Sequence, residues 1–246
     1  MINVELTNNE LERYSRQILY FGVEVQKKLK SSKVMIAGIG GLGSLSATYL
    51  TAIGIGNIIL VDKEKVELSN LNRQILYWTK DLGKAKVKVA TEKLHKLNPE
   101  VKIEAFQGEI NENNVEDFVR RVNLVVDGMD NWRTRFIIND ACVKFRIPFI
   151  HAGIHSFFGQ LMVIYPGKGP CLRCIMPKIP TERKPIPVLG VTPAVLASLQ
   201  VVEAIKSLTG MGTPSIGWVI HFNGENMSLD KFRVSRSPEC PVCGSI

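Results

Sequence analysis

A glycine-rich segment near the amino terminus has the residue types and spacing of a phosphate-binding loop. Gly38, Gly40, Gly41 and Gly43 lie in GIGGLG, which fits GxGxxG and separates an apolar β-branched run from a helix-like segment. The first glycine permits a tight turn, the second lets the backbone approach a phosphate, and the third allows helix and strand to touch. Asp62 ends the next apolar run, where its carboxylate can accept hydrogen bonds from a ribose. We therefore predict a nucleotide site, although an NAD(P)-dependent oxidoreductase would use such a loop in the same way.

Three charged residues further along the chain favour a triphosphate over a dinucleotide. Arg73 lies in SNLNRQ, Lys86 in GKAK and Asp130 in DGMDN. Because the carboxyl ends of parallel strands converge on one crevice, we expect these side chains to face the glycine loop. Cations neutralise phosphate oxygens and a carboxylate can hold Mg²⁺, so the three residues suit ATP with Mg²⁺.

Four of the five cysteines form two CxxC pairs, Cys171 with Cys174 and Cys240 with Cys243. A CxxC turn supplies two thiolates on one edge of a tetrahedron, and two such turns complete a Cys₄ zinc site. Four protein ligands leave no open position, so we predict a structural Zn²⁺ that ties the carboxyl terminus to the segment near residue 171. Cys142 lies among apolar neighbours, and we expect it to be a buried core residue.

The positions of these motifs depend on a predicted alternation of strands and helices after a helical arm. The arm covers 7–31 and begins with a Thr7–Glu10 capping box. Apolar periodicity then predicts strands at 33–38, 57–62, 101–106, 122–127 and 148–153, with helices at 43–53, 84–97, 113–120 and 131–146. This alternation predicts a Rossmann-like, doubly wound and mainly parallel sheet.

The sequence beyond residue 153 predicts an antiparallel carboxyl-terminal extension of that sheet. Strands are expected at 159–167, 216–221 and 227–234, with a helix at 194–209 and a hairpin turn at Asn223-Gly224. Five prolines in 175–193 predict a loop or crossover rather than a helix.

Composition narrows the classes of protein. The chain has 246 residues, 45% of them hydrophobic and 22% charged, which is typical of a globular protein. The net charge of +8 is spread along the chain, and its tightest cluster, around Lys28, is typical of a solvated helix end, so we predict no nucleic-acid binding. Glycines and polar residues interrupt the uncharged stretch 34–61, which argues against a membrane span. The amino terminus lacks a signal-peptide pattern, and we expect a cytoplasmic protein.

Five motifs in this order and spacing resemble the MoeB/ThiF family of adenylating enzymes, which activate ubiquitin-fold sulfur-carrier proteins. They are ERYSRQ at 12–17, GIGGLG, SNLNRQ, GKAK and DGMDN. The resemblance extends from about residue 10 to Cys243. It implies one adenylation domain over 1–246, with a helical arm at 1–31, a nucleotide-binding part at 32–153 and a carrier-binding part with the zinc site at 154–246.

The resemblance also implies roles for individual residues. Glycines of the loop would lie against the nucleotide phosphates, Asp62 would bind the ribose, and Asn70 matches a further polar position near the phosphates. Arg73 and Lys86 would hold the phosphates, and Asp130 would hold Mg²⁺. Arg16 resembles an arginine that the family donates across a homodimer interface into the partner's site. The implied reaction is adenylation of a carrier's terminal Gly-Gly carboxylate, with pyrophosphate as the leaving group.

The sequence departs from several family members in its crossover loop, because 175–200 contains no cysteine. We expect the reaction to stop at the adenylate or to continue by attack of another protein's sulfur. Carriers of the molybdopterin, thiamine, tRNA-thiolation and ubiquitin-like modifier types all share the Gly-Gly end, and the missing cysteine favours the molybdopterin type. Two other functions remain open at this point. One is an NAD(P)-dependent oxidoreductase, and the other is a non-catalytic relative that only binds carriers.

Overall fold

The computed structural model describes residues 4–181 and 186–245. Its amino-terminal arm consists of α1 (Asn8–Arg13), α2 (Ser15–Phe21) and α3 (Val23–Ser31). The predicted capping box is present, because Thr7 Oγ1 accepts the Glu10 N–H and Glu10 Oε2 accepts the Thr7 N–H. The arm breaks at Tyr14 as well as at the predicted Gly22. Tyr14 is buried, and its hydroxyl accepts a hydrogen bond from Asn98 Nδ2 at 2.8 Å.

The described strands form one eight-stranded sheet, with the order β3-β2-β1-β4-β5-β6-β7-β8. The strands are β1 (Lys33–Ala37), β2 (Asn57–Asp62), β3 (Lys102–Gln107), β4 (Leu124–Asp127), β5 (Phe149–His155), β6 (Phe158–Ile164), β7 (Trp218–Asn223) and β8 (Ser228–Arg233). Pairing is parallel from β3 through β5 and antiparallel from β5 through β8. Both the mainly parallel sheet and its antiparallel extension are therefore confirmed.

Helices cover both faces of the sheet and produce two apolar cores. They are α4 (Gly41–Ala52), α5 (Lys86–Leu97), α6 (Val115–Val119), α7 (Trp132–Phe145), α8 (Leu172–Ile175) and α9 (Thr192–Thr209). Alternate residues of β1 face opposite cores, since Val34 and Ile36 join one and Met35 and Ala37 the other. The first core contains apolar residues of α4, α5 and α9, and the second contains those of α6 and α7. Cys142 lies in the second core, fully buried as predicted.

The predicted strands and helices are present with small differences at their ends, and the short helix α8 was not predicted. The last turn lies at 224–227, between β7 and β8. In the described part of the crossover no helix follows Ile175 until Thr192, as the prolines predicted, whereas residues 182–185 lie outside the described residues. None of the helices in the described ranges has the length and apolar character needed to cross a membrane.

Candidate active site

The glycine loop joins β1 to α4 at the carboxyl edge of the parallel strands. Gly38 adopts a φ of +84°, where a side chain would be strained, and a Cβ on Gly43 would lie 1.8 Å from the Gly38 carbonyl oxygen. These two buried glycines therefore hold the turn against the helix. Gly40 and Gly41 are partly exposed, and a Cβ on Gly40 would have no heavy atom nearer than 3.7 Å. The accessible backbone of the loop is thus at Gly40 and Gly41.

The segment that contains Arg73 lies over the glycine loop. A Cβ on Gly41 would lie 3.6 Å from Arg73 Cγ, and the Tyr77 hydroxyl donates to the Ile39 carbonyl at 2.9 Å. The Arg73 guanidinium donates to two neutral acceptors, the Ser69 carbonyl and Asn72 Oδ1. Arg73 is therefore placed beside the loop without a carboxylate partner among the described residues.

Asn70 supports the turn that carries Arg73. Its side chain is buried, and Oδ1 accepts the Glu67 N–H at 3.1 Å. Its carbonyl oxygen accepts the backbone N–H groups of Arg73 and Gln74. In this structure Asn70 thus shapes the loop, and its predicted contact with phosphate stays a prediction.

Asp62 ends β2 and joins two loops through its carboxylate. Oδ2 accepts the Ile39 N–H of the glycine loop at 2.7 Å, and Oδ1 accepts the Glu64 N–H at 2.7 Å. Burial raises the pKa of Asp62 above its ordinary value, and the backbone donors and the nearby Lys86 ammonium oppose part of that rise. Lys86 itself is 1% exposed and lies 2.5 Å, Nζ to Oε2, from Glu64.

Asp130 follows β4 on a turn that a buried polar network supports. The Asp127 carboxylate accepts the Met129 N–H through Oδ1, and its Oδ2 lies 2.6 Å from His151 Nδ1 and 3.1 Å from Arg135 Nε. Arg135 also donates to the Met129 carbonyl at 2.6 Å. Burial lowers the pKa of His151 despite the adjacent carboxylate, so the imidazole is neutral at pH 7. The network fixes the backbone immediately before the exposed Asp130.

A cavity of about 450 Å³ adjoins Asp130 at the start of the antiparallel half of the sheet. Gly153, Gly159, Trp132 and His155 are among the residues that line it. Gly159 has no space for a side chain, because a Cβ there would lie 2.4 Å from Leu196 Cδ2.

Arg16 is the predicted site residue that the fold leaves apart from the others. It lies on α2, is exposed, and forms no ion pair with a carboxylate within the described ranges. Leu19 and Tyr20 on the same helix are 80% and 83% exposed. Within one chain, no described contact joins Arg16 to the glycine loop, Arg73, Lys86 or Asp130.

The two CxxC pairs meet, although 69 residues separate Cys171 from Cys240. The ligand atoms of the four cysteines all lie within 4.8 Å of one another. Sγ–Sγ distances are 3.7 Å between Cys171 and Cys240 and 3.3 Å between Cys174 and Cys243. A tetrahedral zinc ion with Zn–S bonds of about 2.3 Å requires sulfurs about 3.8 Å apart. The donor set and its spacing could therefore hold a metal ion.

Residues 14–242 match the ThiF family. The chain belongs to this family. A relative from Thermus thermophilus called sulfur carrier protein adenylyltransferase is 40% identical over 251 residues, which cover 97% of this chain and 92% of the relative. A crystal structure of E. coli MccB with MccA-N7isoASN superposes with a TM-score of 0.88 and 28% identity, over 97% of this chain and 76% of that chain. A crystal structure of E. coli MccB with ATP superposes with a TM-score of 0.84 and 26% identity, over 99% of this chain and 83% of that chain.

The structure adds site residues that the sequence patterns did not single out. Asp127, Arg135 and His151 come together from β4, α7 and β5, and only Asp127 lies within a recognised motif. Gln200 on α9 donates to the carbonyl oxygens of Asp127 and Ile150. Only Asp127 carried a sequence signal, because it ends a strand within DGMDN. The other three lie inside helices or a strand, and no local pattern specifies them as the partners that a buried carboxylate requires.

Proposed function

We propose that this chain transfers adenylate from ATP to the terminal carboxylate of a ubiquitin-fold sulfur-carrier protein that ends in Gly-Gly. The observation that carries the proposal is that Arg73 lies beside Gly41, that the Ile39 N–H of the same loop donates to Asp62, and that Lys86 lies near Asp62. Asp130 follows Gly128, which packs against Gly38 at the start of that loop. The 40% identity to a sulfur carrier protein adenylyltransferase supports the same reaction. Carriers of the molybdopterin type and the thiamine type both present the required carboxylate.

The reaction needs alignment and charge rather than a general base. A carboxylate is already ionised at neutral pH, so one of its oxygens can attack the α-phosphorus directly. The bond from that phosphorus to the bridging oxygen of the β-phosphate breaks, and pyrophosphate leaves with the electron pair. The acyl-adenylate forms without transfer of a proton.

Each residue of the crevice then has a role. The glycine backbone and Asp62 bind the nucleotide, and Arg73 and Lys86 neutralise charge that develops on the phosphates. Asp130 supplies the hard oxygen ligand that Mg²⁺ prefers, and Mg²⁺ when bound withdraws charge from phosphate oxygens. The cavity beside Asp130 receives the small residues of the carrier's tail, which brings the carboxylate to the α-phosphorus.

Arg16 completes the site from a second subunit in this proposal. Arg16 has no described contact with the glycine loop, Arg73, Lys86 or Asp130 within one chain. This and the exposed Leu19 and Tyr20 on the same helix support a homodimer in which α2 contacts the partner. Arg16→Ala and Arg73→Ala should each inactivate the enzyme, whereas a mixture should regain up to about a quarter of the activity, since random exchange builds one intact site in half of the dimers. No recovery, with subunit exchange shown by mass spectrometry, would remove the role in trans.

The four clustered cysteines hold a structural Zn²⁺ in the same proposal. The ion would tie α8 to the carboxyl-terminal segment, and the chain would act as one adenylation domain with the arm, the nucleotide-binding part and the carrier-binding part at 1–31, 32–153 and 154–246. The sulfur-only donor set is the support for zinc over a hard cation.

The decisive experiment is ATP–pyrophosphate exchange with purified carriers of each type. We expect exchange that depends on Mg²⁺ and on one carrier, and its loss when the terminal glycine of that carrier is deleted. Intact ATP binding without exchange for any Gly-Gly carrier would contradict the proposal and favour a carrier-binding relative. Binding of NAD in preference to ATP–Mg²⁺ would favour an oxidoreductase.

A further inference from the structure

Three cations are assigned to the phosphates in the proposed function: Arg16, Arg73 and Lys86. Among the described residues, only Lys86 pairs with a carboxylate, which belongs to Glu64. Its Oε2 lies 2.5 Å from Lys86 Nζ. Arg73 donates to a carbonyl and an amide oxygen, and Arg16 forms no ion pair with any described carboxylate. The positive charge of Lys86 is therefore neutralised within the chain, whereas those of the two arginines are not.

The burial of the two side chains is unequal. Lys86 is 1% exposed, so its ammonium cannot be solvated by bulk water and requires a counter-charge. The Glu64 side chain is 53% exposed and lies on the solvent side of the pair. A carboxylate in that position can rotate into water at low cost, and an ammonium behind it cannot.

The backbone around the pair is held independently of the two side chains. The Lys86 N–H donates to the Glu64 carbonyl at 3.0 Å, and residues 65 and 85 form an antiparallel bridge. The Asp62 carboxylate fixes the Glu64 N–H at 2.7 Å. Replacement of the Glu64 carboxylate therefore leaves the loop in place.

We propose that Glu64 is an internal competitor of the triphosphate: its carboxylate holds the Lys86 ammonium until ATP displaces it. This inference rests on the proposed function in placing Lys86 at the phosphates. An oxygen of the triphosphate takes the place of Oε2, and Glu64 turns to solvent, since two anionic groups cannot share one buried ammonium without repulsion. Glu64 thus sets the affinity for ATP and keeps Lys86 extended before ATP binds.

The test is the dissociation constant of ATP with Mg²⁺, measured by calorimetry without a carrier, for Glu64→Gln. We expect ATP to bind about fivefold more tightly, because a charge-assisted hydrogen bond no longer has to be broken. The matched control is Glu109→Gln, which removes an equal charge from the exposed pair with Lys63. We expect less than a twofold change there. Unchanged or weaker binding in Glu64→Gln, or equal tightening in both variants, would overturn the inference.

A double-mutant cycle tests whether the effect passes through Lys86. In a Lys86→Met background, Glu64→Gln should leave ATP affinity unchanged, and a persistent gain would overturn the inference. The thermal shift on adding ATP–Mg²⁺ should be larger in Glu64→Gln than in the original chain, because ATP then covers an unpaired buried charge. If Glu64→Gln does not fold, Glu64→Asp must show a smaller tightening, and no tightening would overturn the inference.

The outcome is distinguishable from a failure of the proposed function. If the unmutated protein binds ATP but performs no exchange, this result would contradict adenylation and leave the Glu64 result intact. Normal exchange with unchanged ATP affinity in Glu64→Gln would contradict only the role of Glu64.

Discussion

The nucleotide crevice and the cysteine cluster are built in opposite ways. The cluster uses four identical donors within 4.8 Å, and each pair is fixed by a short local turn. The crevice uses different residue types on loops that follow β1, β2 and β4, and backbone hydrogen bonds to Asp62 and Asp127 hold those loops. Under the proposed function, the cluster serves stability and the crevice serves binding and reaction. Substitutions in the cluster should therefore change the stability of the fold, and substitutions in the crevice should change ATP binding and activity.

The largest expected effect is on stability, at the cluster. Cys240→Ser should lose bound zinc and lower the free energy of unfolding by at least about 3 kcal/mol, since structural zinc contributes on the order of 10 kcal/mol. Metal analysis and thermal unfolding measure both. Cys142→Ala, at a buried cysteine outside the cluster, should retain the metal. Full zinc occupancy in Cys240→Ser would contradict the four-ligand site.

Next in size is an effect on activity alone, at the crevice. Asp130→Asn should lower carrier-dependent exchange by about a hundredfold or more, because the amide replaces an anionic oxygen beside the phosphates. Circular dichroism and the melting temperature should stay close to those of the original chain, since Asp130 is exposed. Asp117→Asn, at an exposed aspartate on α6, is the control and should retain full exchange. A similar loss in both variants would remove Asp130 from the site.

A third prediction separates packing from binding within the glycine loop itself. Gly43→Ala should lower the free energy of unfolding by about 3 kcal/mol, because its Cβ would overlap the Gly38 carbonyl oxygen. Gly40→Ala has room for its Cβ, so it should fold normally and bind ATP about tenfold more weakly. Chemical denaturation and calorimetry distinguish the two. Equal stabilities for both variants would show that the loop repacks.

The smallest predicted effect is the pH dependence that His151 introduces beneath the crevice. Its pKa in the folded chain lies below the ordinary value of about 6.5, so the unfolded chain binds more protons. The associated stability is fully present above pH 6.5 and declines on acidification, by at most about 1.4 kcal/mol per pH unit. His151→Gln should reduce the change in melting temperature between pH 5 and 7, whereas His95→Gln, at an exposed position, should not reduce it.

Sequence patterns predicted the strands, the helices and the loops that carry the motifs because each depends on local periodicity and turn chemistry. Gly38 and Gly43 illustrate this, since their positions at the turn follow from GxGxxG and the flanking elements. Partnerships between distant residues were harder to predict. The contacts of Asp127 with His151 and Arg135, and of Glu64 with Lys86, join residues from separate elements whose side-chain directions no local pattern specifies.

The sequence by itself determined the family, the mainly parallel Rossmann-like sheet with its antiparallel extension and the two CxxC turns, because these depend on spacing along the chain. Only the tertiary structure decided which charges meet. It paired Lys86 with Glu64, placed a buried network beneath Asp130 and left Arg16 exposed on α2, whereas the meeting of Cys171 with Cys240 had been predicted from the two CxxC pairs. The physical reason is that buried charges and thiols are positioned by the packing of two cores against one sheet, and packing acts through space between residues that are far apart in the chain.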